Sequence, residues 1–510
     1  MEDRTRYPNM TDESIPTTQS IPLDAAPAPY VLAIDIGSGS TRGCLYDAYA
    51  RPVKKHLFKA EHAFVEAADG TAEVDADQVV REVAEVIDGA LTGIGPGLVR
   101  AVVMDTFASS LVCVDEAGDA LTPCFTYADS RSWAQLARLR SQLDETAVHQ
   151  RTGTRLHTSY HPPRLLWLRD EFPEVFAKTA KFLSLGEYVY ARLAGIEGAA
   201  TSTMAWAGIL NRHTCELDEE LLAAVGVDRS RFAPIIDPDE PITEVSAPAL
   251  TRWPALQGAA WFPAVPDGFA SNLGVGADSP AAAALSAATS GAIRVIVDGT
   301  PDELPAGLWA YRVSRTQSIV GGALNDVGRV TLWLQGTLAP LSYEEIDELL
   351  RAEPSEGTPL VLPFLTGERS TGWAGEARAV LTGVSSSSGP RELWRGAAEG
   401  IAVSYARVFE QLLEVDPGIT RVIASGGVTG AYPSFMVPVS NALGFPVQVV
   451  DVKRMTMRGA AAFALSVLQP DRPLATIPQT GLTVPDPAQR PYFDDLRARF
   501  DSVYDAVITG

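Results

Sequence analysis

The chain has 510 residues, 46% of them hydrophobic and 20% charged, so it is globular and too long for a single core; two large domains are expected. Lys and Arg total 41 against 63 Asp and Glu, and the formal net charge of −22 argues against nucleic acid or an anionic membrane as a partner. The four cysteines (Cys44, Cys113, Cys124, Cys215) form no C-x-x-C and no zinc-compatible spacing with histidine, which fits a reduced, cytoplasmic setting.

Residues 1–28 lack the basic start and apolar run of a signal peptide, and their Pro, Thr, Ser and Asp content predicts a disordered tail. VLAIDIG (31–37) reads as a buried strand ending in glycine, RGCLYD (42–47) as a second strand, and 53–58 as a third. Helical spacing of apolar residues over 75–92 and the apolar runs in VRAVVMDTFASSLVCVD (99–115) then give a β-β-β-α-β order. Residues 132–147 and 162–195 read as helical. Dense Pro and Gly over 231–270 mark the junction between an N-terminal domain (29–270) and a C-terminal domain (271–510). Ser279 and Pro280 suit the start of a helix over AAAALSAA (281–288), ahead of strands in ATSGAIRVIVDG (288–299). The small-residue run 273–299 carries Asp278, Arg294 and Asp298 and is no membrane span.

SGSTR (38–42) and SGAIR (290–294) share Ser-Gly-x-x-Arg beside a strand, one copy in each half. Two related domains, each offering a glycine turn to a common cleft, would grip a polyphosphate from both sides. The P-loop is excluded, because the chain has no Gly-Lys pair. The dinucleotide fingerprint fails too: Arg42 and a strand follow Gly37 and Gly39 where a third glycine and a helix belong. What is left is a β-hairpin whose turn presents backbone N–H groups and hydroxyls to phosphate oxygens. Asp35 would then face the phosphates and hold Mg²⁺ through water. An Asp-Gly turn in an ordinary hairpin is the alternative.

DIGSGSTR (35–42) resembles the first phosphate motif of the FGGY carbohydrate kinases, within the actin, hexokinase and Hsp70 superfamily, and the likeness runs from about residue 30 to 470. TYADSRS (126–132), TSTMAWAGILN (201–211), PDGFASNLGVGA (266–277), ATSGAIR (288–294), GGALNDVGRVTLWL (321–334), FLTGERSTGW (364–373) and ASGGVTGAYPSFMVPVSNALGFPV (424–447) continue it in order. The resemblance implies an α/β fold of two RNase H-like domains, each with a mixed five-stranded sheet, around a central cleft. It also implies ATP-dependent phosphorylation of a sugar or sugar-acid hydroxyl, with Mg²⁺.

By the same resemblance Asp267 is the general base, a plain turn residue being the alternative, and Gly268 lies beside it at the substrate. Gly37, Ser38, Gly39, Ser40, Thr41 and Arg42 would bind ATP phosphates from one side, and Thr289, Ser290 and Gly291 from the other. Gly328, Gly426 and Gly427 would lie against the phosphates and adenosine. The Met-His pair of xylulokinases and gluconokinases aligns with Ala108 and Ser109. Tyr127, Asp129, Arg131, His157 and Tyr160 are candidate walls of the sugar pocket. A substrate carboxylate would need a cation or several donors, and Arg131 is the first choice, with a structural pair to Asp129 or Asp170 as the alternative. His157 could instead be a surface or helix-capping residue. GERSTGW (367–373) would suit a lid or a hinge.

The stretches 109–132 and 152–168 most resemble gluconokinases, so gluconate is the expected substrate, with a ketopentose such as xylulose, or a polyol, as the alternative. A non-catalytic, ATP-binding actin-like or sugar-sensing protein is a reading from another class; the presence of both Asp35 and Asp267 speaks against it. The expected partners are a small sugar or sugar acid and ATP, with no nucleic acid and no membrane; a homodimer is left open.

Overall fold

In a computed structural model that describes residues 17–355 and 357–509, the apolar run ahead of Gly37 forms β1 (Tyr30–Ile36). The chain turns back antiparallel as β2 (Ser40–Tyr46) and again as β3 (Pro52–Glu61). Asp75 caps α1 (Ala76–Ala90) by accepting from Gln78 N at 3.0 Å, and the helix buries Val79, Val83 and Ile87 as it packs on β2 and β3. β4 (Val99–Thr106) then runs parallel to β1, so the β-β-β-α-β order is present, with two short strands ahead of the helix.

β5 (Ala260–Trp261) and β6 (Val265–Pro266) both pair with the outer edge of β4, which gives the order β5-β4-β1-β2-β3 with β6 beside β4. The stretch 231–270 is therefore no simple linker. It completes the first sheet and delivers Asp267 as the first residue of α2 (Asp267–Gly274), a helix that runs across the expected boundary at 270.

The second half repeats the plan. β7 (Ala282–Ala287) and β8 (Gly291–Asp298) form an antiparallel hairpin, which β9 (Trp309–Arg312) and β10 (Gln317–Leu324) extend. After the long helix α3 (Pro390–Val415), β11 (Arg421–Ser425) runs parallel to β7, and β12 (Val447–Val450) and β13 (Gln479–Thr483) complete the order β9-β10-β8-β7-β11-β12-β13. The sheets have six and seven strands, where the resemblance implies five in each.

The helix expected over 281–288 is instead strand β7, paired on one side with β8 and on the other with β11. Ala283, Leu285 and Ala287 enter one core while Ala282 and Ala284 enter another. Burial on both faces and two hydrogen-bonded neighbours override alanine's helix preference. The helical reading of 132–147 breaks at Asp144, which caps a second helix (Glu145–Thr152). That of 162–195 breaks at Pro173 and again at a short strand (Lys181–Leu183).

One late element ties the halves together. α4 (Met455–Leu468) packs under β1 and β4 of the first sheet, placing Met457, Ala460, Ala461 and Ala464 in the core with Val31, Ala33, Ala101 and Val103. It also crosses α2, and a Cβ on Gly274 or Gly459 would overlap the carbonyl of Met455 or Ala270 on the other helix.

Of the tail expected over 1–28, residues 1–16 lie outside the described residues, while residues 17–28 are packed. Ile21 N donates to Pro52 O (3.0 Å), Lys54 N to Ile21 O (2.8 Å) and Thr18 N to Thr476 O (3.1 Å). Ile21 and Leu23 rest on the first core, and Ala26 is buried in it. No helix among the described residues is long and apolar enough to cross a membrane. Deleting residues 1–28 is expected to lower Tm by about 5 °C, since two or three apolar side chains lose their cover. Differential scanning calorimetry checks this; an unchanged Tm would show that residues 17–28 add no stability.

Candidate active site

Asp35 and Asp105 are register partners on the parallel strands β1 and β4, so their carboxyls share one face of the sheet. Asp105 is fully buried, and neither oxygen has a hydrogen-bond partner among the described residues. Burial, then the neighbouring Asp35 charge, holds its carboxyl well above the ordinary range. Burial raises Asp35 as well, against the pull of Arg42, whose Nη1 lies 3.0 Å from Asp35 Oδ2. Two carboxylates this close in a dry setting cannot both be charged without a cation beside them.

Asp267 stands at the start of α2. Burial pushes its carboxyl up to about 6; Arg294 opposes the rise and Asp35 adds to it. Arg294 reaches over from β8, with Nη2 3.2 Å from Ser271 Oγ and Nη1 3.1 Å from where a Cβ on Gly268 would sit. The two Ser-Gly-x-x-Arg copies both bear on a carboxyl, but differently: Arg42 forms an ion pair with Asp35, while Arg294 reaches Ser271 on α2 and lowers the Asp267 carboxyl without an ion pair among the described residues. Neither Asp105 nor the role of Arg294 was anticipated. The available signal for Asp105 was a lone acid in the apolar run VRAVVMDTF, the pattern that marks Asp35 in VLAIDIG.

The first turn closes through Gly37 N donating to Ser40 O (3.0 Å) and leaves Ser38 and Gly39 exposed, with Ser40 buried. Thr41 turns inward, its hydroxyl donating to Glu82 Oε2 (2.9 Å). His62 bonds the same oxygen through Nδ1 (2.8 Å) and Gly37 O through Nε2 (2.9 Å). Thr41 therefore braces the turn from behind, and Arg42 is engaged by Asp35. In the second turn Thr289 and Ser290 are exposed and Gly291 is buried. Gly328 N donates to Ala288 O (2.8 Å), and Val327 N and Arg329 N donate to Thr289 O, so this segment clamps the turn rather than offering a free N–H of Gly328. Gly426, at φ 123°, starts the short helix Gly427–Ala431. With Gly427, Thr429, Gly430, Val449 and Asp451 it lines a cavity of about 610 Å³, a size that suits a nucleotide.

On the other side an aromatic stack builds the wall. Trp206 lies on Tyr311 (4.2 Å between ring centroids) and Tyr311 on Trp309 (4.6 Å), while the hydroxyls of Tyr160 and Tyr311 are 2.6 Å apart. Trp206 also comes within 3.6 Å of a Cβ position at Gly268, which joins this wall to Asp267. His157, half-buried with Nδ1 3.0 Å from Ser159 Oγ, has its ring pulled down to about 3 by burial and stays neutral. Tyr127 is 43% exposed and meets Phe107 edge-on. Ala108 is half-buried, and the Ser109 hydroxyl is spent on Trp206 O (2.5 Å).

Asp129 and Arg131 are held by each other. Arg131 Nη2 lies 2.6 Å from Asp129 Oδ2 and 2.8 Å from Glu73 Oε2, and the guanidinium rests over Trp167 at 4.8 Å. Asp170 pairs with Arg138 instead (2.7 Å). The structural role named as the alternative for Arg131 is the one observed, and its charge is not free for a substrate.

Two lobes built on matching sheets, each presenting a hairpin turn, with carboxyls gathered between them, define a two-domain sugar kinase of the actin and hexokinase type. Residues 30–274 match the N-terminal domain of the FGGY family of carbohydrate kinases and residues 283–467 match its C-terminal domain; the chain belongs to this family. It is similar to the gluconokinase of Bacillus subtilis (strain 168), at 26% identity over 418 residues, 78% of this chain and 80% of that one. Its fold is similar to gluconate kinase from Lactobacillus acidophilus (TM-score 0.87, 23% identity, 94% of this chain and 98% of that chain). It is also similar to a ligand-bound xylulose kinase from the same organism (TM-score 0.86, 23% identity, 94% and 98%). Kinases of this family use ATP as phosphate donor.

Arg294 lowers the Asp267 carboxyl, so Arg294→Gln should let it rise. Activity that needs the ionised carboxylate is lost as pH falls through its pKa. The acid limb of kcat in the variant is therefore expected about one pH unit above that of the wild type. Superimposable pH profiles would show that Arg294 does not act on the ionising group.

Proposed function

We propose that the protein transfers the γ-phosphoryl group of ATP to a hydroxyl of a sugar acid, with gluconate preferred. The observation that carries this reading is the Asp267 carboxyl, poised at about 6 and set between the carboxyl pair of the first lobe and the aromatic wall. Above that pH it is ionised and able to accept the proton of a substrate hydroxyl, the one covalent task phosphoryl transfer leaves to the protein. Asn, Ser or Thr could not do this. The exposed turns at Ser38 and Gly39 and at Thr289 and Ser290 would hold the phosphates from either side, with the adenosine against Gly426 and Gly427.

Asp35, with Asp105 unpartnered beside it, suits Mg²⁺ held through water, and the ion would neutralise charge on the transferred group. The gluconokinase relative supports gluconate, and the likeness to a xylulose kinase keeps a ketopentose in the panel. Four free, buried cysteines support a cytoplasmic setting.

ATP consumption against aldonates, ketopentoses and polyols is expected to be fastest with gluconate. In the wild type kcat should fall as pH drops through about 6. Asp267→Asn keeps the shape but cannot take the proton, and should lower kcat by ~10² to 10⁴ while ATP binding stays near normal. Near-normal turnover in that variant would remove Asp267 from the chemistry.

A further inference from the structure

Behind α2 lies a second cavity, of about 550 Å³, that the chemistry above does not use. The helix separates it from the candidate active site. Ser271, one turn after Asp267, meets Arg294, whereas Phe269 and Leu273, each about 200° round the helix from Asp267 or Ser271, line the cavity. Its far wall is the second sheet, through Ile296 of β8 and Ile423 of β11, and α4 closes it with Phe463 and Arg458. Among the described residues it shares only Val450 with the cavity beside Gly426.

We propose that this cavity is an effector site for a small molecule with an apolar body and a single anionic group, the anion meeting Arg458. Arg458 is only 4% exposed and forms no ion pair among the described residues. Its Nη1 donates to Gly274 O (3.1 Å) and its Nη2 to Ala475 O (2.9 Å), both neutral acceptors, and its Nε has no partner. Burial pulls the guanidinium down from its ordinary pKa, against Tyr46 and Asp278. A buried cation with an unmet donor is costly, and an anion in the cavity would remove both costs at once.

The surroundings select the rest of the ligand. The aromatic and branched side chains that line the cavity suit a hydrocarbon body. At the rim Asp239 and Asp278, both exposed, would repel a polyanion such as a nucleotide or a bisphosphate, while a single carboxylate reaching Arg458 leaves them in water. The position gives such a ligand influence over the chemistry. Arg458 precedes Gly459, where α4 crosses α2, and it holds the carbonyl of Gly274, the last residue of α2. An anion drawing on this guanidinium therefore acts at the joint that seats the helix of Asp267.

Isothermal titration calorimetry of the full chain with octanoate, 3-phenylpropanoate and indole-3-acetate, each beside its amide, tests this. At least one acid is expected to bind once per chain, about 10-fold or more tighter than its amide, the range for a charge-assisted contact. R458M should reduce the acid to the affinity of the amide. S466W places an indole in the mouth of the cavity, away from every residue assigned to catalysis; it should abolish binding and leave turnover without the acid unchanged. On whichever sugar the wild type phosphorylates fastest, the saturating acid should alter kcat by about 2-fold or more in the wild type and not in S466W. If R458M does not fold, the contrast of acid with amide and the S466W variant carry the test. No acid binding below about 10 mM, equal binding of acid and amide, or binding that survives S466W overturns the site. Binding with an unchanged kcat overturns its effector role. None of these outcomes bears on the proposed phosphoryl transfer.

Discussion

Three carboxyls gather where the two lobes meet, those of Asp35 and Asp105 buried and that of Asp267 half-buried, and the cost of removing them from water organises the site around them. Asp35 and Arg42 are opposed residues of one antiparallel hairpin, so the first lobe answers its carboxylate within a single pair of strands. In the second lobe the residue opposite Arg294 is Ala284. With no acid opposite it in its own hairpin, Arg294 reaches Ser271 on α2. A repeated motif with one acid removed thus spans elements: the first copy holds Asp35, and the second reaches the segment joining the lobes, where its charge opposes the rise that burial imposes on Asp267. Asp105 has no arginine of its own in contact, and burial, then the Asp35 charge, holds its carboxyl well above the ordinary range.

Asp267 can be held this firmly because of how α2 is seated. The helix is short, and its position is fixed by crossing α4 at Gly274 and Gly459, where no side chain fits between the backbones. α4 in turn lies under β1 and β4, the strands that carry Asp35 and Asp105. The three carboxyls are therefore referenced to one packed unit, although they come from residues 35, 105 and 267. Larger side chains at the crossing would push α2 away from the sheet and separate Asp267 from the pair.

What could be read in the chain beforehand divides along physical lines. The two hairpins and their turns were legible, because an apolar run, glycines and a second apolar run are local signals. Asp35 and Asp267 were legible as part of that pattern or of the family likeness. The alanine run 281–288 misled, since alanine favours helix in isolation and only its two strand neighbours decide otherwise. Residues 17–28 misled in the opposite sense: Ile21, Leu23 and Ala26 are too few to signal packing among Pro and Thr, yet they find a prepared surface on the first lobe. Thr41 and Gly328 were read as ATP-binding, and the structure gives each a partner within the protein that pattern alone does not reveal. Thr41 hydrogen-bonds Glu82 and Gly328 bonds Ala288, so both shape the turns from behind.

The sugar side shows why residue type alone could not name the recognition group. Sequence nominates Arg131 as the cation for a substrate carboxylate and cannot tell whether that charge is already taken; its surroundings do. Arg131 is met by two carboxylates and an indole face, and moving it toward a ligand would strand Asp129, which is almost wholly buried. In a protein of net charge −22 an anionic substrate is repelled by the molecule as a whole. Affinity for such a substrate would then depend on local positive charge that has not been cancelled, and pairing with Asp129 and Glu73 takes the Arg131 charge out of that count.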